Sequence, residues 1–105
     1  MANHESLVPR LCEASEGNAD LSREVREALG GRWSANEPCI TTSLSAAWEE
    51  AERRGLRPSV MARADGCKPP YFADVIGASG KQWADFGNTP ALALCAALLA
   101  AEGER

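Results

Sequence analysis

Asn88-Thr89-Pro90 is followed by eleven residues, Ala91 to Ala101, without a single charge. The Thr89 hydroxyl can cap a helix, and Pro90 suits the first helical position, where no backbone N–H is needed. Leu92, Cys95 and Leu99 then fall on one face and Leu94, Leu98 and Ala101 on another, with alanines filling the rest. A helix apolar on nearly every side must be covered on nearly every side. The chain therefore has to wrap its other elements around its own C-terminal helix. This constrains architecture strongly and chemistry not at all.

With 105 residues, 45% apolar and 25% charged, the composition is that of one globular domain. We expect a disordered N-terminus over 1–6, a single domain over 7–101 and a frayed C-terminus over 102–105. The opening residues lack a basic segment followed by an apolar one, and the longest apolar run is too short to span a bilayer as a helix. A soluble, cytoplasmic protein with no membrane attachment is the expectation.

Leu7, Val8, Leu11 and Cys12 mark a short helical stripe that admits Pro9 only in its first turn. Ser15 to Asn18 read as a turn, and Asp20 as the cap of a second helix carrying Leu21, Val25, Ala28 and Leu29, stopped by Gly30-Gly31. Cys39-Ile40-Thr41 reads as a short extended piece leading to a cap at Ser43. Leu44, Ala47, Trp48 and Ala51 form the next buried stripe, ended by Gly55. After it the period becomes two. Ser59–Ala64 and Tyr71–Ile76 read as strands, with Tyr71, Ala73 and Val75 facing one way and Phe72, Asp74 and Ile76 the other. Gln82–Phe86 gives a third. The expected fold is α+β: helices in the N-terminal half, a two- or three-stranded antiparallel sheet, and a C-terminal helix packed on that sheet.

Four cysteines stand at 12, 39, 67 and 95, too evenly spread to form the close pairs of a zinc site. Cys12 and Cys95 lie on apolar helical faces and read as small hydrophobes. No metal and no cofactor is expected. The net charge of −4 disfavours non-specific attraction to phosphate backbones, although residues 53–68 carry Arg53, Arg54, Arg57, Arg63 and Lys68 against Asp65 alone.

General-base chemistry at neutral pH commonly uses histidine, and the sole histidine, His4, falls in the expected fray. Glu49, Glu50 and Glu52 cluster on one helix, but Arg53 and Arg54 follow four residues after the first two, the spacing of a solvated, salt-bridged face. Gly30-Gly31 follows a helix, so it is a helix stop and not a phosphate cradle. These readings leave no catalytic set. Trp48 reads as core and Trp83 as the cover of one sheet face. Trp33, in a polar connection, either folds onto the core or stands out as an interface anchor. Trp33, Arg53, Arg54 and Arg57 are the candidate binding residues.

Three segments resemble the phage ABA sandwich domain of bacteriophage and prophage genomes. They are Asp20-Leu21 to Ala28-Leu29-Gly30, the stretch Ile40-Thr41-Thr42-Ser43-Leu44-Ser45-Ala46-Ala47, and Asn88-Thr89-Pro90-Ala91-Leu92-Ala93-Leu94-Cys95-Ala96-Ala97-Leu98. The third is the most specific. Tyr71-Phe72-Ala73-Asp74 departs from the more Trp- and Arg-rich strand of that family. The resemblance implies an α/β sandwich and a phage or prophage origin, and its motif residues are caps and core positions.

The functional expectation is a non-catalytic phage or prophage accessory protein that works by protein–protein interaction, its partner a phage-encoded protein or a second copy of the chain. The alternative is a nucleic-acid-binding module with the topology of a double-stranded-RNA-binding domain, using the basic 53–68 segment.

Overall fold

The C-terminal helix is encased, as its composition demands. In the computed structural model, which describes residues 4–30 and 39–103, α4 (Pro90–Gly103) has Ala91 to Leu99 and Ala101 buried without exception. One side of α4 lies on a three-stranded antiparallel sheet, and α1 (His4–Glu13), α2 (Ala19–Ala28) and α3 (Leu44–Arg53) pack around the rest. Each leucine withdrawn from water along α4 contributes about 1.5–3 kcal/mol, which makes this helix the axis of the core. The cap read from the sequence is present: the Leu92 N–H donates to Thr89 Oγ1 at 3.2 Å. The fold is α+β.

The sheet runs β1 (Arg57–Ala62), β2 (Tyr71–Ile76), β3 (Gln82–Gly87), with neighbours in sequence adjacent in space. Ala73 is paired with Val60 on β1 and with Asp85 on β3; Phe72 with Met61 and with Phe86. The alternation puts Ala73 and Val75 in the core, with Val60, Tyr71 and Trp83 packed against it. β3 approaches α4 so closely at Gly87 that a Cβ there would lie 2.5 Å from the Ala93 nitrogen.

Several expectations need correction. Helix α1 begins at His4, inside the stretch expected to fray, so Pro9 lies past the first turn. Leu7 and Leu11 are buried, and their burial outweighs the bond lost at Pro9, which sits on the exposed side of the helix. Helix α4 continues past 101 to Gly103. The cap of α2 is Asn18, whose side chain accepts from the Leu21 N–H at 2.8 Å; Asp20 belongs to the first turn.

Residues 40–42 form a turn where an extended piece was expected, because the Thr42 and Ser43 N–H groups both donate back to the Cys39 carbonyl. That turn places Thr41 beneath α2. Its hydroxyl accepts from the Asn18 N–H at 3.1 Å, donates to the Asn18 carbonyl at 3.0 Å and meets Ser22 Oγ at 2.7 Å. Strand β1 starts two residues earlier than the alternation suggested, since an edge strand accommodates Pro58 with no ladder bond lost. Leu44, expected in the buried stripe of α3, is exposed: it continues the arc of Ala46, Ala47, Glu50 and Ala51 at its edge, but as the first residue of the helix it lies at the open end.

Candidate interaction surface

Helices α1, α3 and α4 pack on the inner face of the sheet and α2 packs on α1 and α4, so no described helix covers the outer face. By alternation that face carries Arg57, Ser59 and Met61 from β1, Phe72, Asp74 and Ile76 from β2, and Gln82, Ala84 and Phe86 from β3. Met61, Phe72 and Phe86 stand opposite one another in a single row across the three strands. Met61 is 54% exposed and Phe86 36%. The Phe72 and Phe86 rings are tilted, with centroids 5.4 Å apart, and the Arg63 guanidinium lies 4.4 Å from the Phe86 centroid. Arg63 is fixed there by donating to the Pro69 carbonyl at 3.0 Å.

Asp74 occupies the middle of this face and is only 9% exposed. Its Oδ2 accepts from the Gln82 side-chain amide, while its Oδ1 has no hydrogen-bond partner among the described residues. Buried acceptors are nearly always paired, so this oxygen is an exception, and a donor from another molecule reaches it only when the side chains covering it move aside. On the adjacent strand Arg57 is exposed and its side chain, among the described residues, has neither a hydrogen bond nor an ion pair.

No known protein family, curated protein or solved structure matches this chain.

The sequence candidates divide sharply. Trp33 lies outside the described residues. Arg57 belongs to the outer sheet face. Arg53 and Arg54 belong instead to a charged network on the helical side. Its centre is Glu50, which the sequence placed on a solvated face and the structure buries. Arg26 reaches Glu50 Oε1 at 2.8 Å, Arg53 the same oxygen at 3.3 Å, and Arg54 reaches Oε2 at 2.7 Å. Arg54 also bridges Glu102 at 2.9 Å and donates to the Leu29 carbonyl, which ties α3 to α4 and to the end of α2. The burial follows from a long-range contact: α2 swings Arg26 over α3, and no local spacing announces that.

A cavity of about 290 Å³ opens beside the start of α4, lined by Glu16, Gly17, Thr41, Thr42, Leu44, Thr89, Pro90 and Ala91. Its hydroxyl at Thr41 is already saturated by Asn18 and Ser22. The cysteines are free thiols, and among the described residues no group of three or more His, Cys, Asp or Glu could hold a metal ion. Burial, and then the hydrogen bond to Asp85 at 3.1 Å, push the Cys12 thiol up to about 12; burial pushes Cys95 up to about 12. Thiols held protonated in this way are poor nucleophiles. Among the described residues, no helix is long and apolar enough to cross a membrane.

The residues that sequence reasoning missed are Met61, Phe86 and the unsatisfied oxygen of Asp74. The signal was present in part, since the alternation already set Phe72, Asp74 and Ile76 on a common face. What the sequence does not reveal is that every described helix that packs on the sheet chooses the opposite one.

Proposed function

We propose that the protein is a non-catalytic binding module that acts by protein–protein interaction through the outer face of its sheet. The observation that carries this is the Met61–Phe72–Phe86 row, exposed at Met61 and Phe86, on a face whose buried polar group, Asp74, lacks a partner for one oxygen among the described residues. Interface centres favour methionine, aromatic residues and arginine and disfavour lysine and glutamate. The outer face has one methionine, two phenylalanines and Arg57, with Arg63 beside them, and neither lysine nor glutamate. The likeness of three segments to the phage ABA sandwich domain supports a phage or prophage accessory role in the bacterial cytoplasm.

The nucleic-acid reading has less behind it. The order α3–β1–β2–β3–α4 suits a double-stranded-RNA-binding topology, but Arg54 is held by Glu50, Glu102 and Leu29, and Glu16 lies beside the start of α4. Backbone recognition of duplex RNA needs bases where these residues sit.

A photo-crosslinking amino acid at position 61, compared with one at the exposed Glu49 on the helical side, tests the proposal. Discrete protein adducts from position 61 and none from position 49 are expected. Equal and diffuse labelling from both sites contradicts it.

A further inference from the structure

Resting on that reading, we infer that the partner of the outer sheet face is a second copy of this chain, joined face to face about a two-fold axis, with Arg57 of each copy bound to Asp74 of the other.

The face contains both halves of an ion pair that it does not make within one copy. Among the described residues, the buried Asp74 Oδ1 has no donor and the exposed Arg57 has no acceptor. Arg57 stands opposite Ile76, and Asp74 opposite Ser59, so the two are diagonal neighbours across β1 and β2 on the same side of the sheet. A two-fold contact is isologous: if position 57 of one copy meets position 74 of the other, position 74 of the first meets position 57 of the second. One operation thus gives both guanidinium groups a carboxylate acceptor and, as the side chains covering Asp74 part on contact, both orphaned oxygens a donor. It also lays one Met61–Phe72–Phe86 row against another and withdraws both from water.

Charge argues against the main competitor. A phosphate-bearing ligand laid on this face would meet the Asp74 carboxylate at its centre, on a chain of net charge −4. A second copy brings a guanidinium to that point.

Size sets the strength. Three six-residue strands offer a face of roughly 14 by 20 Å. Two such faces fall well short of the ~1,200–2,000 Å² buried in stable complexes, which makes the dimer a weak one whose population follows concentration.

Sedimentation velocity over a wide concentration range, on the wild type and on Arg57→Asp and Asp74→Arg, is the test. Wild type is expected to shift from monomer to dimer as concentration rises. Each single variant opposes like charges at both contacts and weakens the dimer by about tenfold or more. An equimolar mixture of the two variants restores it. The carboxylate introduced at position 57 then faces the guanidinium introduced at position 74, and the native Asp74 of the first variant faces the native Arg57 of the second. A folding defect is not repaired by mixing, and circular dichroism checks each variant. Met61→Arg, a change at the most exposed position of the row, also abolishes association without entering the core.

A wild type monomeric throughout, or a mixture no stronger than its components, overturns the inference. If position 61 still cross-links to a different protein, the interaction surface stands and only the second-copy assignment fails. Salt-sensitive binding of a labelled single-stranded oligonucleotide, lost in Met61→Arg, overturns both.

Discussion

Arg26 and Glu50 meet at 2.8 Å with both side chains nearly out of reach of water, which joins α2 to α3 across the helical side of the protein. Charges withdrawn from water this far are stable only as a set. Removing one member strands the other, whereas the intact pair contributes little net stability over an apolar replacement. Glu50→Ala is therefore expected to cost about 3 kcal/mol, read as a fall in the urea midpoint. Glu49→Ala, one residue away and exposed, leaves the midpoint within about 0.5 kcal/mol of wild type. Equal losses for the two would show that the Glu50 network is solvated after all.

Two glycines hold the packing by their lack of a side chain. A Cβ at Gly17 would lie 2.0 Å from the Thr41 carbonyl oxygen, and one at Gly87 2.5 Å from the Ala93 nitrogen; both obstacles are backbone. At Gly77 the nearest atom is 3.4 Å away on the Trp83 ring. Gly17→Ala and Gly87→Ala are expected to destabilise by about 1–3 kcal/mol each, and Gly77→Ala by less. Thermal unfolding followed by circular dichroism ranks them. Gly77→Ala as the most damaging of the three contradicts the close approach of β3 to α4.

Thr41 joins the 40–42 turn to α2 through a hydroxyl that is wholly buried and used by Asn18 and Ser22. Thr41→Val keeps the shape and removes the hydroxyl, which leaves the Asn18 N–H without its acceptor. The expected loss is about 1–3 kcal/mol. Thr42→Val, at an exposed neighbour, serves as the control. A silent Thr41→Val would mean that water reaches this site.

Alkaline pH weakens the fold through Cys95. Its thiol is fully buried, donates to the Ile40 carbonyl at 3.3 Å, and is pushed by burial up to about 12. In the unfolded chain the same thiol releases its proton near the ordinary value of about 8.5. The native state thus retains a proton that the unfolded state loses. The stabilisation is complete below that value and declines as pH rises towards 12, by about 1.4 kcal/mol per pH unit. Cys95→Ala is expected to be less stable than wild type at pH 7 and to show a shallower decline between pH 9 and 11. Parallel pH profiles for the two proteins would refute the assignment.

What could be read from the sequence was whatever local chemistry decides. The Thr89-Pro90 start and the uncharged run behind it specify α4, and the Ser43 cap of α3 is where the sequence puts it, accepting from the Ala46 N–H at 3.2 Å. The period of two specifies β2 to the residue. Choices that depend on distant contacts were not legible. Asn18 and Asp20 are both good caps, and Asn18 holds the position in a structure where Thr41 binds its backbone on both sides. Glu50 looks like any other glutamate facing an arginine four residues on, until Arg26 arrives from α2. For the candidate site, the sequence supplied the alternation of Phe72, Asp74 and Ile76 and the arginine at 57. It could not supply the packing of α1, α3 and α4 on the other side of the sheet, because that is settled by how α4 is covered.

The central claim is that the outer face of the sheet is built to be covered, and hydroxyl-radical footprinting reads it directly. Met61 and Phe86 are exposed in the single chain, and methionine and phenylalanine side chains both react with the radical. Labelling at these two positions is predicted to fall as protein concentration rises, while Leu44, exposed on the helical side, reacts to the same extent throughout. Constant labelling of Met61 and Phe86 at every concentration, together with no discrete adduct from a crosslinker at position 61, would contradict the account.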